Sequence, residues 1–259
     1  MRRHLVALAK RTGLYGPAKA IQERLIYHRP RTARQRRQIM RVYAQFMKDG
    51  DLCFDVGAHF GTRTDVFLRL GASVVAIEPQ DVCIATLRRT YGRNQRVTLV
   101  QAALGEQEGQ QEMTLSNAPA VSSLSPSWID AVKASGRFPK CEWTETVTVP
   151  VTTLDALIAR YGQPAFIKVD VEGFEDRVFA GLSQPVPAIS FEYTPEFISA
   201  AIGSIRHLAT LGRVRFNRPV DEPAGRPRPQ WIDADAMCNV LSALPPDTAV
   251  DDLYARFEL

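Results

Sequence analysis

The sequence predicts an α/β fold with a doubly wound parallel sheet, and three observations predict it. Strand-like and helix-like stretches alternate from Leu52 onward, the pattern of a parallel sheet covered on both faces. The first strand-like stretch, "LCFDV", opens into a turn punctuated by glycine, "GAHFG", at the place where such sheets receive ligands. The chain has 259 residues, 45% hydrophobic and 23% charged, which suits one large globular domain with attachments.

Before the sheet comes a basic arm, residues 1–48. It holds 13 of the 32 basic residues against one acid, Glu23, so the remainder carries 19 basic and 27 acidic residues. By charge the body is therefore no nucleic-acid platform, and no nucleic-acid partner is expected. Residues 1–28 are loosely amphipathic and broken by Gly13, Gly16 and Pro17. After "HRPRTARQRR", the stretch "QIMRVYAQFMKDG" places Ile39, Val42, Tyr43, Phe46 and Met47 on one helical stripe, with Gly50 as a left-handed cap. The plain expectation is a helix packed on the body with its arginines in solvent. A peripheral membrane-surface or polyanion contact is the alternative.

The body, residues 49–259, reads in order. "LCFDV" is a strand and "TRTDVFLRLG" a helix closed by Gly71; "SVVAIEP" is a strand and "DVCIATLRRTYG" a helix with Asp81 at its N-cap. "VTLVQ" follows as a third strand. The rhythm then breaks over about residues 105–150, too long for a structureless loop. Two alternating pieces, "QQEMTLS" and "ETVTVPV", predict an antiparallel pair flanking a Ser- and Pro-rich stretch. The pattern resumes with "TTLDALIARYG", a helix capped by Thr153 or Thr152, then the strand "AFIKVD", the helix "GFEDRVFAGL" and the strand "PAISFEY". "TPEFISAAIGSIRHLATLG" predicts helix with a break at Gly203, and "RVRFN" and "DLYARFEL" the last strands, joined through the Pro-rich loop "RPVDEPAGRPRPQW".

No apolar run approaches the roughly 18 residues that span a bilayer. The patch from Leu5 to Ala9 is too short for the core of a secretory signal. The four cysteines are scattered, without zinc or disulfide spacing, and suggest reduced thiols in a cytoplasmic protein.

The first turn carries the chemistry. Gly57 and Gly61 permit a sharp turn and a close backbone approach, with Ala58 between them. The dinucleotide fingerprint G-x-G-x-x-G is absent, which disfavours a nicotinamide cofactor. Asp55 at that mouth would repel a diphosphate but suits a cationic ligand, and S-adenosylmethionine (SAM) carries both a sulfonium and an ammonium. Glu78 ends the second strand about 20 residues later, where an acid takes both hydroxyls of a ribose, and Pro79 fixes the turn after it. Ala102 and Ala103, after the third strand, leave room for a flat adenine ring.

"FDVGAHFG", "AIEP", "AALG", "VSSL", "TTLDAL" and "IKVDVEGFEDRVFAGL" occur in the order seen in the FkbM-family methyltransferases, which this chain resembles over about residues 51–193. The resemblance implies a Rossmann-like fold and SAM-dependent O-methylation, with Asp55, Gly57, Gly61 and Glu78 in the cofactor motif. One departure is His59, where the family usually has asparagine. Asp170 and Glu172, at the mouth of the fourth strand of the sheet, are candidates to orient the acceptor hydroxyl, accept its proton or touch the methionine part of SAM. Glu192 adds a third acid on the same rim, and His59 is a candidate base by its intrinsic pKa. Each has a blander reading as a cap, an ion-pair partner of Lys168 or Arg177, or a turn residue. No metal is expected, since the acids match no metal spacing. The insert, with Trp128 and Trp143, is expected to wall or cover an acceptor pocket for a sugar or other hydroxylated metabolite. The rivals are a non-catalytic SAM-binding protein working through its basic arm, and a nucleotide-dependent oxidoreductase.

Overall fold

The computed structural model describes residues 33–218, 230–245 and 247–259. Most of the basic arm and most of the Pro-rich loop lie outside these residues.

Helix α1 (Ala33–Tyr43) carries the expected stripe: Val42, Tyr43, Phe46 and Met47 are all buried against the body. Phe46 stacks on Phe166 and Tyr254, its centroid 5.4 Å from each. The helix stops at Tyr43, so Phe46 and Met47 lie in the turn beyond it. Gly50, with φ +86°, does not cap this helix; its N–H donates to Gly71 at the start of the sheet.

The strands are β1 (Leu52–Val56), β2 (Ser73–Ile77), β3 (Val97–Val100), β4 (Ala103–Leu104), β5 (Gly109–Ser116), β6 (Trp143–Thr152), β7 (Phe166–Val169), β8 (Ala188–Tyr193), β9 (Val214–Asn217) and β10 (Asp251–Phe257). Seven form the main sheet in the order β3-β2-β1-β7-β8-β10-β9. All are parallel except β10, which runs antiparallel between β8 and β9. The order reverses between β1 and β7, and the loops leaving those two strands meet there.

The remaining helices are α2 (Thr62–Arg69), α3 (Asp81–Tyr91), α4 (Pro126–Ser135), α5 (Leu154–Tyr161), α6 (Glu175–Ala180), α7 (Ile198–Leu211) and α8 (Ala234–Ser242). Helices α1–α3 close one face of the sheet over Cys53, Val74, Ala76 and Phe166. Helices α5–α8 close the other over Phe54, Ile167, Ile189 and Phe191. With two covered faces the strands are continuously apolar, apart from a few polar groups taken up below.

Several local expectations change. Gln80, not Asp81, is the N-cap of α3; the Asp81 carboxylate instead accepts from Gln101 Nε2 at 2.6 Å. Thr153 caps α5, accepting from the Ala156 N–H. Helix α7 runs unbroken through Gly203, which lies where a Cβ would come 3.3 Å from that of Asp176, so the glycine serves the packing of α6 on α7. The insert holds the expected antiparallel pair, β5 and β6, joined by β4 in a separate sheet of order β4-β6-β5. Its Ser- and Pro-rich stretch is partly helical. Ser125 caps α4 by accepting from the Trp128 N–H, with Pro126 at the first helical position.

Candidate functional site

A cleft of about 520 Å³ opens at the carboxyl ends of the parallel strands, where the sheet order reverses. The loop after β1 supplies Gly57 and His59, the end of β2 supplies Glu78, Pro79 and Gln80, and Ala102 and Ala103 follow β3. The loop after β7 supplies Asp170, Val171 and Glu172; the insert closes the far side with Met113, Pro119, Ala120, Ser122 and Leu124. Eight of the twelve residues expected at the site thus line one cavity: Gly57, His59, Glu78, Pro79, Ala102, Ala103, Asp170 and Glu172.

The glycine turn is tight. Gly57 has φ +76°, and a Cβ there would come 1.9 Å from the Asp170 carbonyl, so only glycine lets the β1 and β7 loops meet. The N–H groups of Gly57 and Ala58 both donate to Ile77 O. Ala58 and Gly61 do not line the cleft: Ala58 is buried with the α1–α3 core, and Gly61 is covered by Tyr91 and Leu87. Asp55 is also displaced from its expected place at the mouth. It is buried beneath the turn and accepts from Thr64 Oγ1 at 2.5 Å, which ties β1 to the first turn of α2. Burial pushes its carboxyl up to about 6, against the pull of Thr64 and Arg63.

Glu78 is buried at the cleft wall. One carboxylate oxygen accepts from the His59 N–H at 2.8 Å and the other from the Gln80 N–H at 2.9 Å. The Gln80 side chain also bonds this carboxylate. Burial raises its carboxyl to about 7, although the hydrogen bonds from His59 and Gln80 pull the other way.

Carboxylate oxygens of Asp170, Glu172 and Glu192 lie within 4.8 Å of one another; Asp170 and Glu172 line the cleft, and Glu192 sits beside them without lining it. Burial, together with the neighbouring negative charges, holds the carboxyls of Glu172 and Glu192 well above the usual range. Beneath them lies Lys168, fully buried, its Nζ 3.4 Å from Asp170 Oδ2 and 2.8 Å from Asp252 Oδ1. This ammonium already supplies positive charge to the cluster.

Two non-glycine residues have left-handed backbones among those described, His59 (φ +50°) and Glu172 (φ +55°), and both line the cleft. Such strain is retained where the surroundings enforce it. Glu175, which the sequence reading passed over, supports the Glu172 loop by accepting from the N–H groups of Val171 and Gly173. Its position three residues after Glu172, at the start of a helix, is the signal for that role. Trp128 and Trp143 do not face the cleft as expected. They fill a small apolar core inside the insert, with Ile129 and Val132. Trp128 Nε1 donates to Thr194 Oγ1 and Trp143 Nε1 to Val121 O.

A doubly wound sheet with an acid closing β2 and a cleft at the reversal of strand order defines an α/β protein that takes a nucleoside-bearing cofactor. The chain belongs to the FkbM methyltransferase family, whose cofactor is SAM: the family model for the methyltransferase FkbM domain matches residues 55–212. No curated protein matches the chain. Among solved structures it is similar to a precorrin-6Y C5,15-methyltransferase from Geobacter metallireducens, at 10% identity over 85% of this chain and 86% of that one, TM-score 0.42. It is also similar to a SAM-dependent O-methyltransferase from Thermotoga maritima, at 13% identity over 90% and 69%, TM-score 0.40. A third is a putative methyltransferase from Streptococcus mutans in complex with SAH, at 9% identity over 84% and 94%, TM-score 0.39.

Proposed function

We propose that this protein is an O-methyltransferase that moves the methyl group of SAM to a hydroxyl of a sugar or other hydroxylated metabolite. The observation that carries this reading is the cluster of three acids at the cleft, Asp170 and Glu172 lining it and Glu192 beside them. When bound, SAM supplies a methyl group already activated on a sulfonium. Glu78 takes the ribose hydroxyls, and Ala102 and Ala103 leave space for the adenine beside Ile77 and Leu104. The turn at Gly57 gives the close backbone approach, Ala58 packs behind it, and Pro79 forms part of the cleft wall. Asp55 and Gly61 act from behind, one holding the first turn of α2 and the other admitting Tyr91.

The acids serve the acceptor. Asp170 and Glu172 orient its hydroxyl, and Glu172, whose carboxyl burial and neighbouring charges hold well above the usual range, is the group to receive the proton. Glu192 completes the acidic cluster, and His59 is a second candidate base. Positioning is the larger contribution, up to about 7–11 kcal/mol, with a base adding roughly 10²- to 10⁴-fold. No metal is part of the proposal; Lys168 supplies one positive charge beneath the cluster, shared between Asp170 and Asp252. The acidic body argues against a nucleic-acid acceptor. We place the protein in the cytoplasm, in keeping with its free cysteines.

The test is a mass-spectrometric screen for added methyl groups on glycan and metabolite mixtures supplied with SAM. Asp170→Asn and Glu172→Gln should lose turnover while still binding S-adenosylhomocysteine. Transfer only to carbon or nitrogen, or undiminished rates in both variants, would overturn the reading.

A further inference from the structure

We propose that Ser123, in the insert, is a positioning residue that holds Glu172 in its left-handed conformation and so keeps its carboxyl in the cleft. The inference rests on the role given to Glu172 above. Glu172 has φ +55°, a conformation that an unbranched acidic side chain does not favour, and Gly173 follows at φ +84°. Two successive left-handed residues need restraint from outside the loop. Below, Glu175 takes the N–H groups of Val171 and Gly173, which fixes the residues on either side of Glu172.

The insert supplies the restraint from above. Ser123 Oγ donates to the Glu172 carbonyl at 2.6 Å and accepts from the Ser125 N–H at 2.9 Å. A hydroxyl has one hydrogen to give, and the bond to Glu172 uses it. Ser123 itself is immobilised: its backbone exchanges two hydrogen bonds with Thr114 at the edge of β5, and its side chain is buried. Next to it, Trp128 presses on Gly173 so closely that a Cβ there would come 2.3 Å from the indole. The Thr194 hydroxyl anchors that indole in turn. The antiparallel sheet of the insert is thus connected, through one serine hydroxyl, to the backbone of a single acid in the cleft. The insert does more than wall the cavity, because it sets where Glu172 points.

The test is a double-mutant cycle with Ser123→Ala and Glu172→Gln, combined with amide hydrogen exchange. Ser123→Ala should lower kcat about tenfold with less than about a twofold change in S-adenosylhomocysteine affinity. In the Glu172→Gln background, the same serine change should alter kcat by less than about twofold, because Ser123 acts through that carboxyl. Equal fold losses in both backgrounds would make Ser123 a general structural residue and overturn the proposal. Exchange at the Gly173 amide should quicken about tenfold in Ser123→Ala, with helices α2 and α6 unchanged. Unchanged exchange would also overturn it. Full activity of Glu172→Gln alone would instead sink the catalytic reading of Glu172, and the exchange measurement would still decide the clamp.

Discussion

Glu78 illustrates how one side chain couples folding, ligand and pH. Its carboxyl is held at about 7 by burial, while in the unfolded chain it titrates near the ordinary glutamate value of 4.5. Between those values the native state keeps a proton that the unfolded state has lost, so its contribution to stability is greatest at low pH and is lost as pH rises through about 7. Binding runs in the opposite sense, because ribose hydroxyls donate to the ionised carboxylate. Affinity for S-adenosylhomocysteine should therefore fall by up to about tenfold per unit as pH drops below 7. Glu78→Gln should bind weakly and show no such slope. Calorimetry across this range checks both, and an unchanged slope in the variant would assign the titration elsewhere. Glu78 is legible in the sequence because an acid at a strand end, about 20 residues past a glycine turn, has few other uses. Asp55 is misleading for a related reason. Its neighbours in sequence describe a mouth, but its hydrogen-bond partner, Thr64, is on the following helix and draws the carboxylate under the turn. Ser123 falls in the motif "VSSL", but its contact with Glu172 is not legible there, since that partner is 49 residues away.

At the scale of elements, strand β7 carries a cation where an apolar side chain would be ordinary. Burial pulls the Lys168 pKa down, but Asp170 and Asp252 outweigh it and hold the ammonium charged. Asp252 comes from β10 and also lies 3.9 Å from Arg63 on α2, so one ion-pair network joins both outer parts of the fold to the cleft. Lys168→Met should cost up to about 3–5 kcal/mol in denaturant unfolding, because it takes away the buried ammonium that Asp170 and Asp252 share. Lys168→Met with Asp252→Asn should recover much of that loss, since removing both members of a buried pair is far cheaper than removing one. Equal instability in the two variants would show that packing, not charge, is at stake. Elements whose pattern is periodic are readable in advance: β5 and β6 by alternation, α5 by its threonine cap. Helix α4 is hidden by composition, because Ser125-Pro126 reads as loop even though serine followed by proline is also a helix start. Helix α8 is obscured in the same way by the proline-rich stretch before it, despite Asp233, which accepts from the Ala236 N–H at 2.9 Å and caps it.

For the whole molecule, the question is where the arm ends and the body begins. A boundary at residue 48, drawn from charge, places α1 with the arm. Packing places it with the body. Phe46 is stacked between Phe166 and Tyr254, Tyr43 meets Phe67 edge-on at 5.0 Å, and Arg256 of β10 lies over the Phe46 ring. Burying a large apolar side chain contributes roughly 1.5–3 kcal/mol. Losing Val42, Tyr43, Phe46 and Met47 together would remove an amount comparable with the 5–15 kcal/mol that typically separates folded from unfolded chains. A chain lacking residues 1–48 is therefore expected to aggregate or melt without a cooperative transition in circular dichroism. A chain lacking residues 1–32 keeps every one of those contacts and should melt within a few degrees of the full-length protein, with S-adenosylhomocysteine affinity unchanged. Anionic-vesicle binding that disappears with residues 1–32 while affinity stays constant would assign the basic charge to an outside surface. A cooperative, well-folded protein after loss of residues 1–48 would instead restore the charge boundary and make α1 an attachment.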